Sequence, residues 1–149
     1  MGADLYIDSL YEPNQAVWAH EFEDAAKLCD SLTPGTPEHE DARERLRYCH
    51  EQMNSRGYFR DPYNDWDVLW QFGLSWWDDV IPMLDQDARL SVANARRLLA
   101  MLDQREESFE ERLAGLPDKK QQSYRDRYIE LRQFLNQAIA LDESVSCSL

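Results

Sequence analysis

Long apolar runs are missing from this chain. No stretch approaches the ~18 consecutive apolar residues that a membrane-crossing helix needs, and the opening MGADLYIDSL lacks the basic start and apolar centre of a secretory leader. Residue 6 is Tyr where an N-myristoylation pattern on Gly2 wants Ser or Thr, and Cys147 stands third from the end where prenylation wants the fourth. A cytoplasmic protein with no membrane partner is the expectation. Cysteine is scarce as well. Cys29, Cys49 and Cys147 are odd in number and form no CxxC pair. That excludes a disulfide scaffold and a cysteine-rich zinc site. Cys29 and Cys49 are expected as buried thiols packing as small hydrophobes, and Cys147 on a loose tail.

Basic residues are few: 16 Lys and Arg stand against 29 Asp and Glu, for a net charge of −13. The imbalance is local. Residues 1–32 carry −6 and residues 57–90 carry −5, whereas residues 118–149 balance. A direct nucleic-acid partner is excluded on this ground, because the phosphate backbone requires a basic surface. A basic protein partner fits the charge, and self-association stays open.

Catalytic and phosphate-binding signatures are also absent. There is no GxSxG, HExxH, GxxxxGK[ST] or GxGxxG. Of the three histidines, His20 has Glu23 at a spacing that one metal ion would bridge. No Glu-x-x-His occurs, however, and His20 falls off the apolar stripe of its helix, so no metal or other cofactor is expected. The run from Asp61 to Phe72 is not a calcium loop, since Trp66 and Phe72 replace its required Gly and Glu.

What the chain does have is helical periodicity and one aromatic segment. Trp18, Phe22, Ala25, Cys29 and Leu32 recur at gaps of 4, 3, 4 and 3, which predicts one buried helical stripe. That helix is expected to start near Pro13 or Asn14. After the loop TPGT, Thr36 caps a second helix with Pro37 in its first position, carrying Ala42, Leu46, Cys49 and Met53. Ser91 caps a longer helix with Ala95, Leu99, Leu102, Phe109 and Leu113 on its stripe, interrupted by Glu106. Pro117 opens the last, with Tyr124, Tyr128, Leu131, Leu135 and Ala138. The bases Lys119, Lys120, Arg125, Arg127 and Arg132 on it are expected to pair within the helix with Asp126 and Glu130. Ala3, Leu5 and Ile7 alternate with polar neighbours, predicting an extended N-terminal segment without a convincing strand to pair with.

These elements predict a single all-α domain over residues 1–149. Two antiparallel helical hairpins form a four-helix bundle-like assembly, joined by an aromatic-rich connector with short helices. Residues 142–149 are expected as a flexible tail.

The connector, Tyr58 to Trp77, reads YFRDPYNDWDVLWQFGLSWW and holds four of the five tryptophans. Asp61-Pro62 reads as a turn. Asn64 or Asp65 is expected to cap a short helix placing Trp66, Leu69 and Trp70 on one face. Ser75 is expected to cap another, with Asp78 as its reciprocal acid. Adjacent helical residues do not share a face, so one of Trp76 and Trp77 is expected at the surface, and Trp76 is taken as the anchor.

The leading functional expectation is a non-enzymatic protein that binds a basic protein partner through an aromatic and acidic surface. Its contacts are Tyr58, Tyr63, Trp66 and Trp76 with Asp65, Asp67, Asp78 and Asp79. The alternative is a small-ligand or carbohydrate site in the same segment, with hydrolysis by paired aspartates.

Overall fold

A computed structural model describes residues 1–63 and 67–149. The chain forms two compact units: Asp8–Tyr58, and Met1–Ile7 together with Phe59–Leu149. The fold is not all-α. A four-stranded antiparallel sheet stands beside the helices, which corrects the helical-bundle expectation.

The Asp8–Tyr58 unit is a helical hairpin of α1 (Asp8–Ser31) and α2 (Pro37–Met53). The Thr36 hydroxyl accepts the His39 N–H at 3.2 Å, as a capping threonine should. α1 starts six residues before Asn14 and carries Pro13 inside it, losing one ladder hydrogen bond there. Asn14 therefore lies inside the helix and not at its start. Its amide donates to the carbonyls of Gln52 and Met53 at 2.7 and 2.9 Å, and Gln15 donates to Met53 at 2.7 Å, covering the orphan carbonyls that end α2. The Glu21–Arg45 ion pair and the Cys29–His39 contact pair later α1 positions with earlier α2 ones, so the helices run antiparallel.

In the second unit, β1 (Gly2–Tyr6) puts Ala3 and Leu5 on one buried face, continued by Ile7, as its alternation predicts. Its partners are β2 (Tyr58–Pro62), β3 (Arg89–Leu90) and β4 (Val145–Ser148), in the order β2-β1-β4-β3. β4 pairs antiparallel with β1, Leu5 opposite Cys147, and with β3, Leu90 opposite Val145. The expected flexible tail is thus an interior strand, and Cys147 lies within it, its thiol pushed up to about 12 by burial. Asp61-Pro62 ends a strand instead of making a turn. β2 is an edge, where the missing proline N–H costs no ladder bond.

The long helix expected after Ser91 is two: α4 (Val92–Gln104) and α5 (Glu106–Leu113), broken at Arg105. Leu98, not Leu99, lies on the buried stripe. α6 (Asp118–Ala140) buries all five residues expected of it. Three of its bases reach other elements, where the sequence predicts pairing along the helix: Arg125 to Glu110 at 2.7 Å, Arg132 to Asp103, and Arg127 to Asp61 at 3.7 Å. Glu106, polar on an apolar stripe, accepts the Tyr128 hydroxyl at 3.0 Å. Phe72 stacks on Phe109 at 4.2 Å, and both rings lie against Tyr128.

Candidate functional site

The aromatic connector divides into a buried half and an exposed half. The buried half centres on Asp61. Period two in β2 sends Asp61 to the same side as Phe59, into the core, where it has no exposure at all. A carboxylate there must be fully hydrogen-bonded. Both oxygens lie 3.0 Å from the Val68 N–H, and Oδ2 accepts the Trp76 indole N–H at 2.8 Å. The Arg127 guanidinium stands 3.7 Å from Oδ1 and offsets the charge. Strand, helix and aromatic turn therefore meet on one side chain.

Asp67 lies beside it. It caps α3 (Val68–Gln71), with Oδ1 accepting the N–H groups of Leu69 at 2.8 Å and Trp70 at 3.4 Å. Burial, the hydrogen bond to Asp61 and the Asp61 charge push its carboxyl up to about 8. A neighbouring carboxylate charge in a buried site disfavours ionisation of Asp67, so its carboxyl keeps its proton more readily than an exposed one. The Tyr63 and Tyr124 phenols are raised mainly by burial, with the two aspartates adding to it.

α3 closes in a Schellman motif. Gly73, at φ +68°, donates to the Trp70 carbonyl and Leu74 to that of Leu69, both at 3.0 Å. In a single turn only Val68 and Leu69 reach the core, so Trp70 faces solvent, 64% exposed, and does not share the face expected of it with Leu69. The next element is a π-helical turn, Trp76–Val80. The Ser75 hydroxyl accepts the N–H groups of Trp77 and Asp78, as a capping serine should. The acid that returns to the Ser75 N–H is Asp79, at 2.8 Å, and not Asp78, because the wider turn moves the reciprocal position one residue on.

Of the adjacent tryptophans, Trp76 is 1% exposed and Trp77 is 56% exposed. The surface ring is thus Trp77, which corrects the choice of Trp76. The Trp77 ring lies 5.7 Å from that of Tyr63, with Asp78 exposed next to it in the chain. Tyr58 lies against Tyr11, 5.8 Å away, in the hairpin unit. Asp65 and Trp66, and the cap proposed at Asn64 or Asp65, fall outside the described residues. Among the residues expected to bind, Tyr63 stands with Trp77, and Asp67 with the buried Asp61 group. Sequence reading missed Asp61 and Arg127 as a pair, since they are 66 positions apart. It also missed the exposure of Trp70. The adjacency of Trp76 and Trp77 did signal that one ring faces outward.

Among the described residues no helix is long and apolar enough to cross a membrane, and no three His, Cys, Asp or Glu side chains are grouped to hold a metal ion. No family model, curated protein or solved structure matches the chain.

Proposed function

We propose that this chain is a non-enzymatic interaction protein that binds a basic protein partner through its aromatic and acidic connector. Trp77 is the anchor, Tyr63 its neighbour, and Asp78 with the negative charge of residues 57–90 supplies the steering. The observation that carries this reading is the exposure of Trp77 beside the complete burial of Trp76. The buried indole is fastened to Asp61, so the π turn presents the outer ring from a fixed base. Exposed, preorganised tryptophans are the residues on which binding energy concentrates, and complementary charge raises the rate of encounter.

The full engagement of Asp61 supports this reading over hydrolysis by paired aspartates. A carboxylate that serves as base or nucleophile needs a free lone pair facing substrate. Asp61 directs its oxygens at Val68 and Trp76, with Arg127 alongside, and is sealed from solvent. These contacts make Asp61 a structural tie and not a catalytic group.

The test is a photo-crosslinking amino acid placed at Asp78, with Gln86 as an exposed control position. Adducts from cell extract should be basic proteins, should disappear in roughly 0.5 M salt, where charges are screened beyond a few ångströms, and should be lost with Trp77→Ala. Equal adducts from both positions, or adducts indifferent to Trp77→Ala, would overturn the reading.

A further inference from the structure

The helical hairpin carries a second surface, independent of the Trp77 face. Two helices alone cannot cover each other's apolar stripes. Within α1 and α2 only Ala25, Ala42 and Cys49 are buried. Leu28 is 53% exposed, and Val17 and Tyr48 are exposed too. Toward the loop end of the hairpin the two helices bound a groove of about 620 Å³. Its floor is Ala25 and Ala42, small residues that leave a depression between the helices, with Leu28 and Leu32 along one side. Its rim is acidic from both helices: Glu21 and Asp24 from α1, Glu38 and Asp41 from α2. The one base at the rim, Arg45, is engaged by Glu21 at 2.6 Å.

We propose that this groove is a docking site for a basic amphipathic helix of another protein. A third helix is the element that fits between two antiparallel ones, filling the depression by ridge-into-groove packing. Its apolar stripe covers Leu28 and Leu32 over the alanine floor. Its flanking Lys and Arg residues meet Asp24 on one side and Asp41 on the other. The charge decides the occupant. A second copy of this chain would bring the same acidic rim against the first, and like charges facing each other disfavour the pairing. A partner with the opposite charge gains on both counts.

The test uses the full chain and a labelled 18-residue peptide of Leu and Lys with leucines at helical spacing. A second peptide has the same composition with the leucine spacing scrambled. Binding is read by fluorescence anisotropy. The patterned peptide should bind at least about tenfold more tightly than the scrambled one, since both carry the same charge. Leu28→Gln should weaken it by about tenfold, and so should Asp24→Asn with Asp41→Asn, while Trp77→Ala should change it less than about twofold. All these positions are exposed; should Leu28→Gln fail to fold, the Asp24 and Asp41 changes carry the comparison. Equal binding of the two peptides would overturn the proposal, reducing the groove to general acidity. Loss with Trp77→Ala but not with the groove variants would assign the peptide to the other face. A dimer in sedimentation that Leu28→Gln dissociates would show that a second copy fills the groove, and would equally overturn it.

Discussion

The indole N–H of Trp76 donates to Oδ2 of Asp61 across 2.8 Å, with neither residue in meaningful contact with solvent. This bond ties the π turn to the edge strand β2. The Val68 N–H and the Arg127 guanidinium bring α3 and α6 to the same carboxylate. Four elements, one of them 66 positions away, thus share one buried group, and the exposed Trp77 follows directly on the residue it holds.

Removing that group is expected to be costly. Asp61→Ala leaves the Trp76 and Val68 donors and the Arg127 charge without their acceptor, and should lower stability by about 3–5 kcal/mol in urea unfolding. Trp76→Phe loses one donor and should cost about 1–3 kcal/mol. The double variant should fall short of the sum, because both changes remove the same bond. Strict additivity would show that the contact contributes nothing of its own.

Asp67 gives the protein a pH dependence of defined sign. Its carboxyl lies at about 8 in the fold against 3.8 in a free chain, so the folded state binds the proton more tightly. The stability that this adds is fully present below pH ~4 and is lost as pH rises through about 8. Asp67→Asn cannot ionise and keeps a capping side chain. Its stability should vary less than wild type between pH 4 and 8, measured by urea unfolding at several pH values. Parallel profiles would remove Asp67 as the source.

Acrylamide should separate the neighbouring tryptophans. Trp77→Phe should reduce the quenchable fraction of fluorescence, and so should Trp70→Phe, since both rings face solvent. Trp76→Phe should leave that fraction unchanged. A loss with Trp76→Phe alone would contradict the packing of the π turn.

The last residues should matter more than a tail does. Val145 is buried, and β4 lies between β1 and β3. Deleting residues 145–149 exposes the ladder groups of both neighbours and removes core volume. It should cost several kcal/mol and lower the melting temperature by more than about 10 °C. A melting temperature within about 2 °C of the full chain would argue against an interior strand.

Helices were legible because their signal is local. The stripe of α6, the Thr36 and Ser91 caps and the Pro37 start lie within a few turns of the residues they organise, and the structure follows them. The alternation of Ala3, Leu5 and Ile7 announced β1 for the same reason. Glycine at position 2 hid its purpose. A side chain there would stand 2.8 Å from the Asp61 carbonyl, a contact that only the paired strands create.

The sequence by itself determined the starts of α2 and α4 and the buried stripe of α6, that the chain is acidic in two blocks, and that its aromatic residues concentrate between Tyr58 and Trp77. Only the tertiary structure decided that there is a sheet. β3 and β4 have two and four residues, too few for a period to declare itself, and β2 ends in Asp61-Pro62, which reads as a turn. Their pairing joins the first residues of the chain to the last, as Asp4 opposite Ser148 does. The tertiary structure likewise decided between Trp76 and Trp77. The two side chains are chemically identical, and what buries one of them is a carboxylate fifteen residues away that folding brings within hydrogen-bonding reach.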